Sequence, residues 1–400
     1  MNLLLDAIFS SVAFGHLMVD VINGQRPILL AYLSGKLGLT NTTLGLISTI
    51  YVMSASLLQP LFGFISDRLG ARWVIAGGLL WMAAFYSLAL VAPGNLALVL
   101  LVLASIGSGA YHPAATMQAT MRGRSEFVGR EASAAAYFFV FGQLGYLFGP
   151  ILAGPLLDRY GRSGLWIFAL LAAVVGGTLV RRLRGSENLN KAHAHSLPAT
   201  QGSLTLLSNT TNDFTNSRRQ YLLYLLLPLV TVAALQSWLQ QNMVTFIPKY
   251  LSDLGQSASH YGLVAAMFMG GSAFGNIFGG HLADRFGKRL VIFLSLLISV
   301  VPLYLIPFSG LSVWLYVFVP LAGLFTGSVY SILVVLAQRI IPGGMALASG
   351  LILGFMFSSG AIGTYLSGYI ADLWGLTLVF KLNALIALAA AIWASRLGNS

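Results

Sequence analysis

The sequence predicts an all-α membrane protein of twelve transmembrane helices: two pseudo-symmetric six-helix bundles, each made of two inverted three-helix repeats. Three observations carry this. Only 8% of the 400 residues are charged while 57% are hydrophobic, against about 25% charged residues in soluble domains, so the chain cannot clothe a water-facing surface. Apolar runs of about 20 residues, enough to cross a hydrocarbon core of roughly 30 Å, recur twelve times. One loop signature recurs four times, once per three spans.

The spans read as 7–32, 43–66, 73–92, 95–121, 129–156, 163–183, 220–248, 258–281, 290–308, 312–338, 346–370 and 375–395. The first lacks a basic leader and carries Asp20 and Arg26 where a signal peptide would be purely apolar, so it reads as a retained helix. The polar stretch 184–219 reads as a cytoplasmic linker between an N-terminal bundle, 1–183, and a C-terminal bundle, 220–400. Its His193 and His195 form an H-x-H read as solvated chain, and no metal is expected.

With both termini in the cytoplasm, sixteen of the 22 Lys and Arg fall in cytoplasmic loops and the tail and four in outer loops; Arg26 and Lys381 fall inside spans. This is the positive-inside distribution. The net charge of +11 therefore reports topology in a cytoplasmic (inner) membrane, and a nucleic-acid partner is not expected. The absence of cysteine excludes disulfides, thiol chemistry and thiolate metal sites.

The recurrent signature is Gly63-x-x-x-Asp67-Arg68-x-Gly70, Gly154-x-x-x-Asp158-Arg159-x-Gly161, Gly280-x-x-x-Asp284-Arg285-x-Gly287 and Gly368-x-x-x-Asp372-x-x-Gly375, after spans two, five, eight and eleven. The halves also align without gaps at an offset of 217: Gly38 with Gly255, Gly45 with Gly262, Gly63 with Gly280, Asp67 with Asp284, Arg68 with Arg285, Gly70 with Gly287 and Arg72 with Arg289. Three helices being odd, successive units are inverted in the membrane. Such repeats build secondary transporters that rock around a midplane site.

Gly63-x-x-x-Asp67-Arg68-x-Gly70-x-Arg72 and its copy from Gly280 to Arg289 resemble the loop signature of the major facilitator superfamily. Gly145-x-x-x-Gly149-Pro150-x-x-x-Gly154 in span five is similar to that superfamily's antiporter signature. Gly15-His16-Leu17-Met18-Val19-Asp20, Leu58-Gln59-Pro60, Gly107-Ser108-Gly109-Ala110-Tyr111-His112-Pro113 and Lys381 resemble the fosmidomycin-resistance exporter group, which exports drugs in exchange for protons. That group often has an acid after His-Pro. Ala114 and Ala115 stand there instead; if that acid carries protons in the group, this chain uses Asp20 or His112 in its place or couples differently. The resemblance also implies that Asp67 and Asp284 latch the cytoplasmic side as gating groups.

Ionisable groups inside a bilayer are costly and are functional candidates by default. His16, Asp20, Asn23 and Pro27 share a narrow stripe of span one. Burial disfavours the charged carboxylate, so Asp20 is poised to take up a proton, with His16 and His112 as relay partners. His112 precedes Pro113, which bends span four. Arg26, about 80° off the stripe, stays charged even when buried and favours an anionic or zwitterionic substrate. Asn23, Tyr111, Gln236, Gln240, Tyr330 and Lys381 are candidate substrate-lining residues, Gln236 and Gln240 sharing one face of span seven. The glycines Gly145, Gly149 and Gly154 are expected to let span five press on the other half, with Pro150 bending it.

These readings converge on a proton-coupled antiporter, a monomer without a cofactor, driven by the proton gradient and exporting a small polar or amphiphilic compound. Uptake of a small organic anion or sugar is the alternative within the class, and a non-transporting membrane sensor the alternative outside it. An enzyme is not expected: the chain has no G-x-S-x-G serine loop with a paired histidine and no H-E-x-x-H.

Overall fold

A computed structural model describes residues 3–125, 131–185, 216–341 and 345–398. Among these residues there are helices and no strands. The α-helices are α1 Ala7–Leu37, α2 Asn41–Leu57, α3 Gln59–Leu69, α4 Ala71–Val91, α5 Leu96–Ser125, α6 Glu131–Tyr160, α7 Trp166–Arg182, α8 Asn216–Asp253, α9 Ala258–Phe286, α10 Lys288–Ser309, α11 Leu315–Gly327, α12 Tyr330–Ile340, α13 Met345–Trp374 and α14 Leu376–Ala394. They sort into twelve crossings because two spans are interrupted. Span two breaks between α2 and α3 at Leu58, with proline in the first turn of α3, where the missing N–H costs no bond. Span ten breaks between α11 and α12 at Ser328 and Val329. Pro113, by contrast, sits inside a continuous α5.

Helix faces are apolar both inward and outward. On α7, Phe168, Ala169, Ala172, Gly176 and Leu179 are buried, while Ile167, Leu170, Leu171 and Val174 are exposed. In water this outer face would drive aggregation; in a bilayer it meets lipid. The exception is α1, buried at every position from Val19 to Ala31. A helix enclosed on all sides must satisfy its polar groups against its neighbours, which is why its His, Asp, Asn, Gln and Arg can form a site.

The internal repeat is written into the backbone. Gly38 and Gly255 end helices at φ 61° and 72°. Gly70 and Gly287 start α4 and α10 at φ 91°, ψ 139° and φ 92°, ψ 141°. These are left-handed conformations that only glycine adopts without strain, and both pairs lie at the same offset of 217.

The chain forms two compact units. One comprises residues 1–190, 244–269 and 364–376, the other residues 191–243, 270–363 and 377–400. The division differs from the bundle boundaries expected at 183 and 220, since the end of α8, the start of α9 and the end of α13 join the first unit. Two acids from the repeated signature hold them there. Asp158 accepts from the backbone N–H of Ala258 at 2.7 Å and of Ser259 at 2.8 Å, and from the Ser259 hydroxyl at 2.5 Å. Asp372 accepts in the same way from Asn41, Thr42 and the Thr42 hydroxyl, at 2.7, 2.8 and 2.5 Å. Each thus caps a helix start, α9 or α2, with a carboxylate at the positive end of the helix dipole. A Cβ on Gly154 would lie 2.4 Å from the Ala258 carbonyl, and one on Gly368 would lie 2.4 Å from that of Asn41, so the signature glycines permit the approach that the acids exploit. The second unit packs around Leu229, Val232, Leu296, Leu333, Met356 and Ala391.

Candidate functional site: a buried histidine–aspartate–histidine cluster

Asp20 is 3% exposed and sits between two imidazoles. His16, one turn earlier on α1, places Nε2 3.1 Å from Asp20 Oδ2. His112 of α5 places Nε2 3.5 Å from Asp20 Oδ1. Each ring is oriented by a backbone carbonyl: His16 Nδ1–H donates to Phe138 at 2.7 Å, and His112 Nδ1–H donates to Ser108 at 2.8 Å. A carbonyl only accepts, so both Nδ1 atoms carry the hydrogen and both Nε2 atoms face the carboxylate. In the neutral tautomer that would set lone pair against anion. The arrangement therefore calls for positive charge, as protons or a cation, between the rings and the carboxylate.

Packing keeps the cluster in place. The Phe138 ring stacks on His16 at 4.0 Å between centroids. Room for the cluster comes from α6: a Cβ on Gly142 would fall 2.5 Å from His16 Cε1 and 2.7 Å from Asp20 Oδ2. Ala114 and Ala115, which follow His112 and Pro113, are buried.

From Asp20 a hydrogen-bonded chain runs toward Arg26. Asn23 Nδ2 donates to Asp20 Oδ1 at 2.9 Å and to Ser108 Oγ at 3.0 Å. Its carbonyl accepts from the Tyr51 hydroxyl at 2.8 Å, and the Arg26 guanidinium lies 4.8 Å from the centre of the Tyr51 ring. Arg26 is 7% exposed. Among the described residues no carboxylate pairs with it, and its Nε has no hydrogen-bond partner. The neighbouring Gln25 accepts from Tyr86 at 2.5 Å, but its Nε2 is likewise unpartnered. A buried cation without a counterion, beside an unmatched amide donor, is electrostatically incomplete and suits an anionic ligand.

The stripe residues His16, Asp20 and Asn23 thus meet His112, and Arg26, off the stripe, joins them through Tyr51. Tyr51, Ser108, Gln25 and Phe138 were not foreseen; only their tertiary neighbours mark them out. Tyr111, expected on a cavity wall, is instead fully buried, its hydroxyl donating to the Val12 carbonyl at 2.5 Å. Gly145 and Gly149, expected to press on the other half, face α1: Cβ atoms there would lie 2.6 Å and 2.5 Å from the Leu17 and Val21 carbonyls. Only Gly154 and Pro150 of that series meet α9, Pro150 through Gly262.

The remaining candidates lie in the second unit. Gln236 donates to the Thr326 carbonyl at 3.2 Å. Gln240 donates to Ser272 at 2.9 Å and accepts from Thr326 at 3.1 Å, so both amides tie α8 to α11. Tyr330 packs against the apolar core. Lys381 lies 4.9 Å from the centre of the Phe308 ring, near the end of α10. In the loop signatures, Asp284 is exposed and has no hydrogen-bond partner among the described residues, and Arg68, Arg72 and Arg285 stack on Phe64, Trp73 and Phe286. The side chain of Asp67 and the linker with His193 and His195 lie outside the described residues.

Twelve apolar crossings, a repeat carried into the backbone and a cluster of ionisable groups centred on one enclosed helix define a multi-pass membrane carrier. A profile of the Major Facilitator Superfamily matches residues 11–252 and 226–398, and the chain belongs to that superfamily of transporters. It is not an enzyme. It is 27% identical over 387 residues to the Fosmidomycin resistance protein of Escherichia coli (strain K12), covering 95% of this chain and 90% of that one. It is 30% identical over 370 residues to the uncharacterized MFS-type transporter YfnC of Bacillus subtilis (strain 168), covering 90% and 86%. In fold it matches the crystal structure of the nucleoside transporter NupG with TM-score 0.70 and 14% identity, covering 97% and 98% of the two chains. A bacterial homolog of the human lysosomal transporter Spinster, inward-facing and occupied, matches with TM-score 0.73 and 14% identity, covering 98% and 97%.

Proposed function

We propose that the chain is a proton-coupled antiporter of the bacterial inner membrane that exports a small anionic or amphiphilic compound by alternating access, with both termini in the cytoplasm. The likeness to a Fosmidomycin resistance protein along nearly the whole chain supports export. The observation that carries the coupling is the unbroken chain from the His16–Asp20–His112 cluster through Asn23 and Tyr51 to the unpaired Arg26.

In an antiporter, proton and substrate compete. Coulomb attraction alone works the other way, because a proton near Arg26 adds positive charge and favours an anion. Competition has to come through the chain. A proton on Asp20 Oδ1 removes the charge and weakens the acceptor of Asn23 Nδ2, Asn23 is freed to turn, Tyr51 loses its acceptor, and the ring that holds Arg26 shifts. The halves then rock with the substrate released.

The test is export driven by a pH gradient in proteoliposomes. Asp20→Asn is expected to abolish coupled export. Tyr51→Phe, which keeps the ring under Arg26 but removes the hydroxyl, is expected to retain substrate binding and lose its dependence on pH. Coupled export at the wild-type level in Asp20→Asn refutes the assignment.

A further inference from the structure

We propose that His16 Nε2, His112 Nε2 and Asp20 Oδ2 form a binding site for a divalent transition-metal ion of the Zn2+ class, with one coordination position left open. This rests on the same cluster as the coupling reading but requires neither antiport nor export. The three residues offer ligand atoms that all lie within 4.8 Å of one another. That spacing lets one ion sit at the usual distances, roughly 2.0–2.2 Å from imidazole nitrogen and carboxylate oxygen, after small side-chain shifts.

The surrounding shell is the stronger argument. Metal-binding histidines characteristically donate the other ring N–H to a backbone carbonyl or carboxylate, which fixes the tautomer and aims the lone pair at the ion, and binding carboxylates are hydrogen-bonded in turn. All three conditions hold. His16 is fixed by Phe138, His112 by Ser108, and Asp20 Oδ1 by the Asn23 amide, which leaves Oδ2 free beside His16 Nε2. Two imidazoles and one carboxylate suit Zn2+ or its neighbours over Mg2+ or Ca2+, which take oxygen ligands.

The side chains of His16 and Asp20 are 3% and 5% exposed, but that of His112 is 26% exposed. The open position therefore lies on the His112 side, where water or an anionic ligand can complete the shell. An ion with Asp20 leaves one net positive charge, and a bound anion neutralises it. Protons and metal would occupy the same lone pairs, so the ion acts as a competitor of protons at this cluster.

The purified full-length chain is titrated with Co2+, whose four-coordinate complexes absorb strongly in visible light while the hydrated ion absorbs weakly. The background carries His193→Ala and His195→Ala to remove the other H-x-H. One Co2+ per chain with a four-coordinate spectrum, displaced by Zn2+, is expected. Asp20→Asn and His112→Gln should each abolish the band, and Asn23→Ala should weaken affinity about 10–100-fold, as loss of a supporting hydrogen bond does elsewhere. Unfolding profiles of the variants separate lost ligands from lost fold. No four-coordinate band in the background chain at millimolar Co2+, or a band that survives in folded Asp20→Asn and His112→Gln chains, overturns the site. Coupled export without metal binding would leave the antiporter reading standing. Metal binding with no export driven by the pH gradient would do the reverse.

Discussion

Removing the carboxylate of Asp158 isolates what the capped helix starts contribute to the conformational equilibrium. Asp158 takes three hydrogen bonds from the first turn of α9, two from backbone N–H groups and one from Ser259. Its carboxyl lies on the surface side of that contact, so solvent screening discounts the charge. Deleting a helix cap costs about 0.5–2 kcal/mol, and loss of the charge at the helix dipole adds about 0.3–1 kcal/mol. For a partly exposed group the sum is about 1–2 kcal/mol, which shifts an equilibrium roughly 5–30-fold at 1.4 kcal/mol per tenfold. The chain has no cysteine, so one reporter can be read cleanly. Ala258 is buried at 3% exposure, and Ala258→Cys should react with a maleimide only when α9 leaves Asp158. The labelling rate is expected to rise about 5–30-fold in Asp158→Ala, while Arg159→Ala leaves it unchanged. Asp372→Ala should act alike on a reporter in the first turn of α2. A rate within twofold of the parent in Asp158→Ala, with the helix content intact, would show that the carboxylate does not hold α9.

Gly142→Ala should leave a folded chain that has lost transport, because the added methyl enters the space of His16 and Asp20; transport equal to wild type would mean that the cluster tolerates displacement. Asp6 caps α1 through Phe9 and pairs with Arg122 at 2.8 Å. Burial alone would raise its carboxyl, but the Arg122 bond and the Phe9 N–H outweigh burial and hold it below the ordinary value. A depressed folded value stabilises the fold above the unfolded value near 3.9 and is lost as pH falls through the folded value. Asp6→Asn should therefore lower the thermal midpoint at pH 7, and the difference from wild type should shrink below about pH 4.

Much of this architecture is legible in the residues because hydrocarbon imposes a simple rule: a crossing must satisfy its own backbone and show apolar side chains. Span number and the repeat follow from run length and from glycines whose backbone only glycine tolerates, such as Gly70 and Gly287. His16, Asp20, Asn23 and Arg26 were legible as well, since ionisable and polar groups within an apolar run stand out and helical spacing sets the first three on one side.

What the sequence could not supply was partnership. Helical spacing puts Asp20 and Arg26 on α1, but only packing decides that Asn23 and Tyr51 connect them, or that Tyr111 is closed into the interior while its neighbour His112 reaches Asp20. The antiporter-like glycines were visible, yet which helix each one admits depends on how α6 lies against α1. Likewise the four loop acids look alike in sequence, and only contacts from distant parts of the chain separate Asp158 and Asp372, each capping a helix start, from Asp284, which is exposed. Hydrophobic pattern and backbone stereochemistry act locally and can be read from the chain. Hydrogen-bond pairing between residues tens to hundreds of positions apart is decided only when the helices pack.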